Sequence, residues 1–251
     1  MPKISYLIAT KNRAKLIGET LQSLVDQSEK DWEAIIIDDH GNDNTSEVIE
    51  KFADKRMKYY RLTDPHGHGA SCARNFAAIR ASAPIVAIID SDDLCYPERS
   101  RATLEAFKKD PKLDVFYGDI DIWEEKKNIV RDRKTPHHPF SVERLLEVNF
   151  IPHSTVAMKR QILLDNPYNQ FFRIAEDYDL LTRLAVAGKR FSFTSKKLVK
   201  YRLGDTNISG GGKEGITKIY DSLVKMVRRR VPYDKEILDQ IAEAERIKEK
   251  K

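Results

Sequence analysis

The 251-residue sequence predicts an α/β protein with a mainly parallel sheet flanked by helices. Short apolar runs typical of buried strands recur in the first half, at Ile4–Ala9, Ala34–Ile37 and Ile85–Ile89. A helical pattern follows each run, so strands and helices alternate through about residue 120. This alternation is typical of parallel strands joined by crossover helices. Ligands of such sheets bind at the carboxyl ends of the strands, where we therefore expect the site.

The first two strands both end in polar residues. The first ends at Thr10–Arg13, and the second ends at Asp38 and Asp39. A polar loop and a helix follow the second strand, and we expect Asn44 and Glu47 to cap that helix as a capping box. Local capping and turn formation would also explain the two carboxylates, but not why a third strand delivers acidic residues to the same edge.

The third strand ends in the acidic segment Asp90-Ser91-Asp92-Asp93. On an extended backbone Asp90 and Asp92 point the same way, since they are two residues apart. Such carboxylates repel each other unless a cation lies between them, and a hard divalent ion with oxygen ligands is the natural occupant. The alternative is an acidic turn that caps a helix starting near Pro97.

The second half is predicted to be mixed, followed by a charged helical tail. Its expected elements are helix 142–147, strand 154–158, helix 178–187 and short strands at 190–194 and 198–201. Glu176 and Asp177 precede the second of these helices. Acidic residues at a helix N-terminus are favoured by the helix dipole, which would alone account for this pair.

Taken together, the motifs resemble those of a family-2 glycosyltransferase of the GT-A fold, with its Rossmann-like sheet. The matching segments, in the family's order, are 8–13, Asp38-Asp39 with Asp43 and Thr45, 67–75, 90–93, 175–180 and Tyr201-Arg202. The resemblance covers about the first 210 residues. It implies a GT-A catalytic domain at 1–210, with a donor half at 1–120 and an acceptor half at 121–210, and a helical C-terminal appendage at 211–251.

The resemblance implies an enzyme that moves a sugar from a nucleotide diphosphate to an acceptor hydroxyl, with inversion and metal assistance. A UDP-sugar is the expected donor, and Mn²⁺ or Mg²⁺ the expected ion. Asp92 would be the metal ligand, Asp90 would hold the ribose, and Asp39 would bind the base. Thr10 and Arg13 lie where the family contacts base and ribose.

The resemblance also assigns the remaining site residues. Arg74 would reach the donor or pair with a site carboxylate, although a solvated arginine after a glycine turn has the same local pattern. Asp177 would be the general base, with Glu176 as its substitute. Gly204 stands where many relatives carry a histidine that helps to hold the metal or diphosphate, so we expect a weakly held ion.

Partners and location are predicted from composition and from the family. We expect a saccharide or lipid-linked acceptor, a homo-oligomer, and a cytoplasmic location. The basic helix around Arg228–Arg230 either packs on the catalytic domain with its charges in solvent or places the enzyme peripherally at the inner face of a membrane. The net charge of +5, two cysteines and lack of a membrane-spanning run or visible signal peptide fit this. The alternatives are a sugar-phosphate nucleotidyltransferase, a non-catalytic nucleotide-sugar binder and a nucleic-acid glycosyltransferase.

Overall fold

The computed structural model describes residues 1–63, 69–133, 140–172 and 174–204. Its strands are β1 Ile4–Thr10, β2 Trp32–Asp38, β3 Met57–Arg61, β4 Ile85–Ile88, β5 Leu94–Cys95, β6 Val115–Glu124, β7 Ile129–Asp132, β8 Ala157–Lys159 and β9 Phe191–Leu203. Its helices are α1 Ile17–Val25, α2 Thr45–Glu50, α3 Gly69–Arg80, α4 Arg99–Lys109, α5 Val142–Glu147, α6 Arg160–Asp165 and α7 Glu176–Val186. Short 3₁₀ turns lie at Glu125–Lys127 and His153–Thr155.

All these strands belong to one mixed sheet. Their order is β3-β2-β1-β4-β8-β6-β9-β5, with β7 paired to β6. The four strands of the first half, β3, β2, β1 and β4, are parallel, as the alternating sequence pattern predicted. The second half adds β8 antiparallel to β4 and β6, and β9 parallel to β6. The predicted α/β class is confirmed, and the parallel region is its N-terminal half.

Helices cover both faces of the sheet because the parallel strands are apolar on both sides. Leu7 of β1 packs in the cluster that contains Ala77 of α3 and Leu184 of α7. Its neighbour Ile8 packs on the opposite face with Leu21 of α1. Each fully buried leucine or isoleucine side chain of this kind stabilises the fold by about 1.5–3 kcal/mol. The two layers hold the strand ends rigidly at one edge, which is the edge that carries the polar residues.

Several predicted boundaries need correction. The strand expected at 154–158 begins only at Ala157, because a 3₁₀ turn occupies His153–Thr155. The two strands expected at 190–194 and 198–201 are one long strand, β9, which follows β6 through irregular pairing near Gly118. Helix 142–147 is confirmed, and the helix expected at 178–187 begins two residues earlier.

The capping box predicted for α2 is wrong. Asn44 is the N-cap residue, but its side chain makes no capping hydrogen bond. Asp43 takes that part instead, since its Oδ1 accepts from the backbone N–H of Thr45 at 3.1 Å and from the Thr45 hydroxyl at 2.5 Å.

Some predictions fall on residues that lie outside the described ranges. These are the helical tail at 211–251, the start of the motif at 67–75 and the end of the acceptor half at 205–210. The division of the chain into a catalytic domain and a tail therefore stays a prediction. Among the described helices, none is long and apolar enough to cross a membrane.

Candidate active site

The ends of β1 and β2 meet at one edge of the sheet. Thr10 and Asp38 are register partners, and the backbone N–H of Asp39 donates to the Thr10 carbonyl at 2.8 Å. β4 lies on the other side of β1, so the acidic segment after β4 comes to the same edge. The predicted convergence of three strand ends is confirmed.

The two neighbouring aspartates after β2 have different surroundings. Asp38 is used locally, since its Oδ1 accepts from the Gly41 N–H and its Oδ2 from the Tyr59 hydroxyl, both at 2.8 Å. Asp39 instead turns toward α3, where its Oδ2 accepts from the Gly69 N–H at 2.9 Å. Asp39 therefore lies between the β2 edge and the start of α3, which is consistent with a role in ligand binding.

Thr10 and Arg13 also lie at this edge. The Thr10 hydroxyl is buried, and no hydrogen-bond partner contacts it within the described residues. The Arg13 backbone N–H donates to Thr45 Oγ1 at 2.9 Å, which ties this segment to the loop after β2. The Arg13 side chain extends to Asp92, with Nε 3.8 Å from Oδ2.

The acidic segment after β4 forms a turn rather than a continuation of the strand. The Asp93 N–H donates to the Asp90 carbonyl at 3.1 Å. The expectation of an extended backbone from Asp90 to Asp92 is therefore wrong. Ser154 Oγ bridges Asp90 and Asp93, at 3.0 and 2.6 Å, whereas Asp92 points toward Arg13.

Burial and mutual repulsion act on the three carboxylates in different ways. Burial is the largest influence on Asp90 and works against its ionisation, but the Arg74 charge and the hydrogen bonds from Arg74 and Ser154 together hold the pKa below its usual value. Burial raises the pKa of Asp92, and the Asp90 charge raises it further. Burial and Asp90 also raise the pKa of Asp93 well above its usual range. Negative charge in this turn is therefore only partly compensated by the protein, as expected for a site that receives a cation.

The carboxylate oxygens of this turn fit a divalent ion that also binds atoms of a bound ligand. Among the described residues, no three His, Cys, Asp or Glu side chains converge to form a complete metal cage. Asp92 faces Arg13 at a distance longer than a hydrogen bond, so an ion can bind its hard oxygens without breaking a short contact. Asp93 is held by Ser154 and by the Arg202 N–H, which leaves Asp92 as the better candidate ligand.

Arg74 joins the two halves of the site. Its Nη2 lies 2.8 Å from Asp90 Oδ1 and its Nη1 lies 2.6 Å from Glu176 Oε1. The side chain is only 7% exposed, and its guanidinium lies 5.7 Å from the Tyr168 ring centroid. Of the two roles expected for Arg74, the structure therefore presents the pairing with site carboxylates.

Asp177 follows Glu176 in the first turn of α7. Asn149 Nδ2 donates to Asp177 Oδ2 at 2.9 Å. Burial, and then the Glu176 charge, raise the pKa of Asp177 to about 6. A carboxylate with such a pKa is ionised at neutral pH and accepts a proton more readily than an ordinary aspartate. Glu176 is engaged by Arg74, so Asp177 is the better placed of the two to act as a base.

The segment 149–154 supplies site residues that sequence reasoning missed. Asn149 contacts Asp177, and Ser154 contacts Asp90. His153 Nε2 lies 2.8 Å from the Tyr168 hydroxyl, and burial together with the Arg74 charge lowers the pKa of His153 to about 3. No local pattern marks these residues. They reach the site because β8, which follows them, returns beside β4.

Arg202, from the motif Tyr201-Arg202, supports the acidic turn from behind. Its side chain is buried, and its Nε donates to the Asp92 carbonyl at 2.8 Å. It forms ion pairs with Glu19, at 2.5 Å, and with Glu125. The motif therefore holds the backbone of the candidate metal ligand. Gly204 follows just beyond the end of β9.

A fold of this kind, with carboxylates gathered at one sheet edge, fits the class of nucleotide-sugar-dependent transferases. The sequence profile "Glycosyl transferase family 2" matches residues 5–165. The chain therefore belongs to glycosyltransferase family 2, the family that the sequence motifs resembled. It is a glycosyltransferase that uses a nucleotide-sugar donor, and inversion and metal assistance are general features of the family.

Individual proteins support this assignment. The chain is 34% identical to the putative teichuronic acid biosynthesis glycosyltransferase TuaG of Bacillus subtilis, over 83% of this chain and 82% of TuaG. The structure of S. aureus TarS with UDP-GlcNAc has a TM-score of 0.75 at 21% identity, covering 95% of this chain and 70% of that one. A Pyrobaculum calidifontis mannosyltransferase in complex with GDP-Man and Mn²⁺ has a TM-score of 0.64 at 18% identity, covering 82% and 58%. The two structures confirm the GT-A type of fold.

Proposed function

We propose that the donor binds at the edge formed by Thr10, Asp39 and Asp92, and that the acceptor binds beside Asp177. The observation that carries this proposal is the Arg74 bridge, which links Asp90 in the acidic turn to Glu176 at the start of α7. Through this bridge, the acidic turn that would hold the metal ion and the diphosphate lies near Asp177, the carboxylate proposed as the base. The donor half at 1–120 and the acceptor half at 121–210 thus meet across one buried guanidinium.

The donor is a nucleotide sugar whose base contacts Asp39, with Thr10 and Arg13 beside the base and ribose. The buried Thr10 hydroxyl, which has no hydrogen-bond partner among the described residues, supports this role, because a ligand atom would satisfy it. Asp90 would hold the ribose while Arg74 keeps it ionised. A UDP-sugar is our preferred donor, in keeping with the UDP-GlcNAc bound by the TarS structure.

Asp92 is the proposed ligand of a divalent ion, Mn²⁺ or Mg²⁺. When bound, such an ion supplies positive charge to the diphosphate leaving group. The Mn²⁺ present in the mannosyltransferase structure supports this choice. Arg13 lies beside the Asp92 carboxylate and would compensate its charge in part. Arg202 would keep the Asp92 backbone in place.

Asp177 is the proposed general base. It accepts the proton of the acceptor hydroxyl as the acceptor oxygen bonds to the anomeric carbon of the sugar. The bond from that carbon to the diphosphate oxygen breaks, and attack from the opposite face inverts the configuration. Because Glu176 is held by Arg74, its charge remains in place and favours uptake of the proton by Asp177.

The acceptor is proposed to be a saccharide or a lipid-linked saccharide. TuaG is named for teichuronic acid biosynthesis, which supports the first class. A lipid-linked acceptor would agree with a cytoplasmic enzyme that contacts the inner face of a membrane through its basic C-terminal segment. Oligomer formation belongs to the same proposal and would be checked by light scattering.

A thermal-shift panel tests the donor site. UDP, GDP, ADP and their sugar conjugates would be added with and without Mn²⁺ or Mg²⁺. We expect uridine compounds to raise Tm most, and more with the ion, since a ligand present at 100 times its Kd stabilises by about 2.7 kcal/mol. The Asp39→Asn variant should lose the preference among bases. The absence of any nucleotide-dependent shift in the wild-type protein would contradict the proposed donor site.

A further inference from the structure

The polar contact between Asn149 and Asp177 joins two separate elements. Asn149 lies just after α5, and Asp177 lies in the first turn of α7. The amide Nδ2 donates to Asp177 Oδ2 at 2.9 Å. From this geometry we infer that Asn149 is a positioning residue that orients the Asp177 carboxylate and favours its ionised form. The inference rests on the proposed function, in which Asp177 is the base.

The orientation of the Asn149 amide is fixed by its second contact. The backbone N–H of Ile151 lies 3.3 Å from Asn149 Oδ1. A backbone N–H can only donate, so the amide oxygen must face Ile151 and the NH₂ group must face Asp177. Asn149 therefore presents a donor to Asp177, which stabilises a carboxylate rather than a protonated acid.

The other groups around Asp177 shift its pKa in both directions. Glu176 on the same helix raises the pKa of Asp177, second only to burial, while the Tyr178 backbone N–H lowers it. Arg74 on α3 also lowers it, but from a position where it is bonded to Glu176. The Tyr168 phenol is a further titratable neighbour that interacts electrostatically with Asp177. Among the described residues, Asn149 is thus an uncharged donor that reaches this carboxylate from outside α7.

The same stretch of chain also reaches the acidic turn. Five residues after Asn149, Ser154 Oγ donates toward Asp90 Oδ2 and Asp93 Oδ2. One short segment therefore contacts both the proposed base and the carboxylates of the donor side. This arrangement fixes the direction in which Asp177 faces relative to the donor, and a displacement of about 1 Å in such a geometry costs on the order of 100-fold in rate.

Two substitutions separate orientation from general folding. Asn149→Asp keeps an oxygen for the Ile151 N–H and removes the donor to Asp177, whereas Asn149→Ala removes both contacts. Asn166→Ala is the matched control, because Asn166 is also partly buried and its side chain donates only to the backbone carbonyl of Ile162 in the described structure. Far-UV circular dichroism and Tm would establish that all three variants are folded.

Two measurements give the readout. The ¹³C carboxyl resonance of Asp177, assigned by comparison with Asp177→Asn, yields its pKa directly without turnover. The pH profile of kcat then reports the base in action. We expect Asn149→Ala to raise the pKa of Asp177 by about one, since a hydrogen bond to a charged group is of that magnitude. Its kcat should then fall about tenfold relative to wild type at pH 5 and far less at pH 8. Asn149→Asp should raise the pKa further.

The outcomes distinguish this inference from the proposal on which it rests. The role of Asn149 alone would be overturned if the pKa of Asp177 were unchanged in both Asn149 variants while Asp177→Asn still lost the acidic limb of the wild-type pH profile of kcat. A raised pKa with an unchanged pH profile would remove Asp177 from catalysis and overturn both. An equal loss of kcat at every pH, matched by Asn166→Ala, would identify Asn149 as merely structural.

Discussion

Arg74 Nη1 lies 2.6 Å from Glu176 Oε1, and this ion pair joins residues that are 102 positions apart in the chain. The same guanidinium contacts Asp90 at 2.8 Å. Neither partner's role could be read from local sequence, because each motif alone resembles an ordinary turn or helix start. The contact makes the donor side and the acceptor side of the site one rigid unit.

Replacement of Arg74 should therefore be costly. Arg74→Met leaves Asp90 and Glu176 without their buried partner, and we expect a loss of about 3–5 kcal/mol in the free energy of unfolding. The additional change Glu176→Gln should recover part of this loss. Urea unfolding measures the loss in the single variant and its recovery in the double variant. Arg80→Met, on the exposed end of the same helix, is the control. A loss below about 1 kcal/mol would mean that the pair is well solvated.

Asp92→Ala should abolish sugar transfer and remove metal-dependent binding of nucleoside diphosphate, because the diphosphate loses its counter-charge. Calorimetric titration with Mn²⁺ and UDP measures the binding. Asp43→Asn serves as control, since Asp43 also lies beside the donor edge but bonds to Thr45 and Ala14. Full activity of the wild-type protein after treatment with chelator would refute a metal on Asp92.

The sequence predicted the donor edge well because its signals are local. The strand lengths of β1, β2 and β4 follow from apolar runs, and strand ends then bring Thr10, Asp39 and Asp90 together. The orientation of Asp92 was missed because the backbone turns at Asp90 rather than continuing as a strand.

The acceptor side was less predictable. Asn149 and Ser154 enter the site only because β8 pairs antiparallel with β4, and no periodicity in the sequence encodes that return. Likewise, two short strands were predicted where β9 is continuous, since exposed Ser195 and Lys196 interrupt the apolar pattern but not the backbone pairing that surrounds them. Strand pairing between distant parts of the chain thus determines both the acceptor side of the site and the length of β9, which local sequence patterns did not predict.

A buried carboxylate outside the site, Glu33, contributes stability that depends on pH. Glu33 accepts hydrogen bonds from Ser5 at 2.6 Å, from Ser82, and from Lys58 at 2.7 Å. Burial, the largest single influence, would raise its pKa, but these donors together lower it to about 2 from the ordinary 4.5. A lowered folded-state pKa stabilises the fold above pH 4.5, and that stability is lost as the pH falls through about 2.

Glu33→Gln should remove this contribution. We expect the variant to be less stable than wild type by about 3 kcal/mol at pH 7, with the difference shrinking between pH 4.5 and pH 2. Urea unfolding across that range measures it, and Glu47→Gln, on an exposed position of α2, is the control. A difference that does not depend on pH would attribute the loss to packing instead of ionisation.

Asp177→Asn is nearly isosteric but cannot take the acceptor's proton. Turnover should fall by a factor on the order of 10²–10⁴, the usual contribution of general base catalysis. Donor binding should survive, because the proposed donor contacts come from the N-terminal half. Steady-state kinetics and donor titration measure the two effects. Near-full turnover would transfer the role to Glu176 or another carboxylate, and lost donor affinity would contradict the proposed division of the site.

The same substitution should stabilise the protein in alkaline solution. The pKa of Asp177 is raised from 3.8 to about 6 in the folded state, so folding favours the protonated form. Asp177 therefore contributes its full share to the free energy of unfolding below pH 3.8. This contribution, about 3 kcal/mol, is lost as the pH rises through about 6. Asparagine does not ionise, so Asp177→Asn should unfold at a higher urea concentration than wild type at pH 8 and at a similar one near pH 4. Lower stability of the variant at pH 8 would mean that Asp177 is retained for structure, because a carboxylate that is ionised while buried should cost the fold stability rather than add to it.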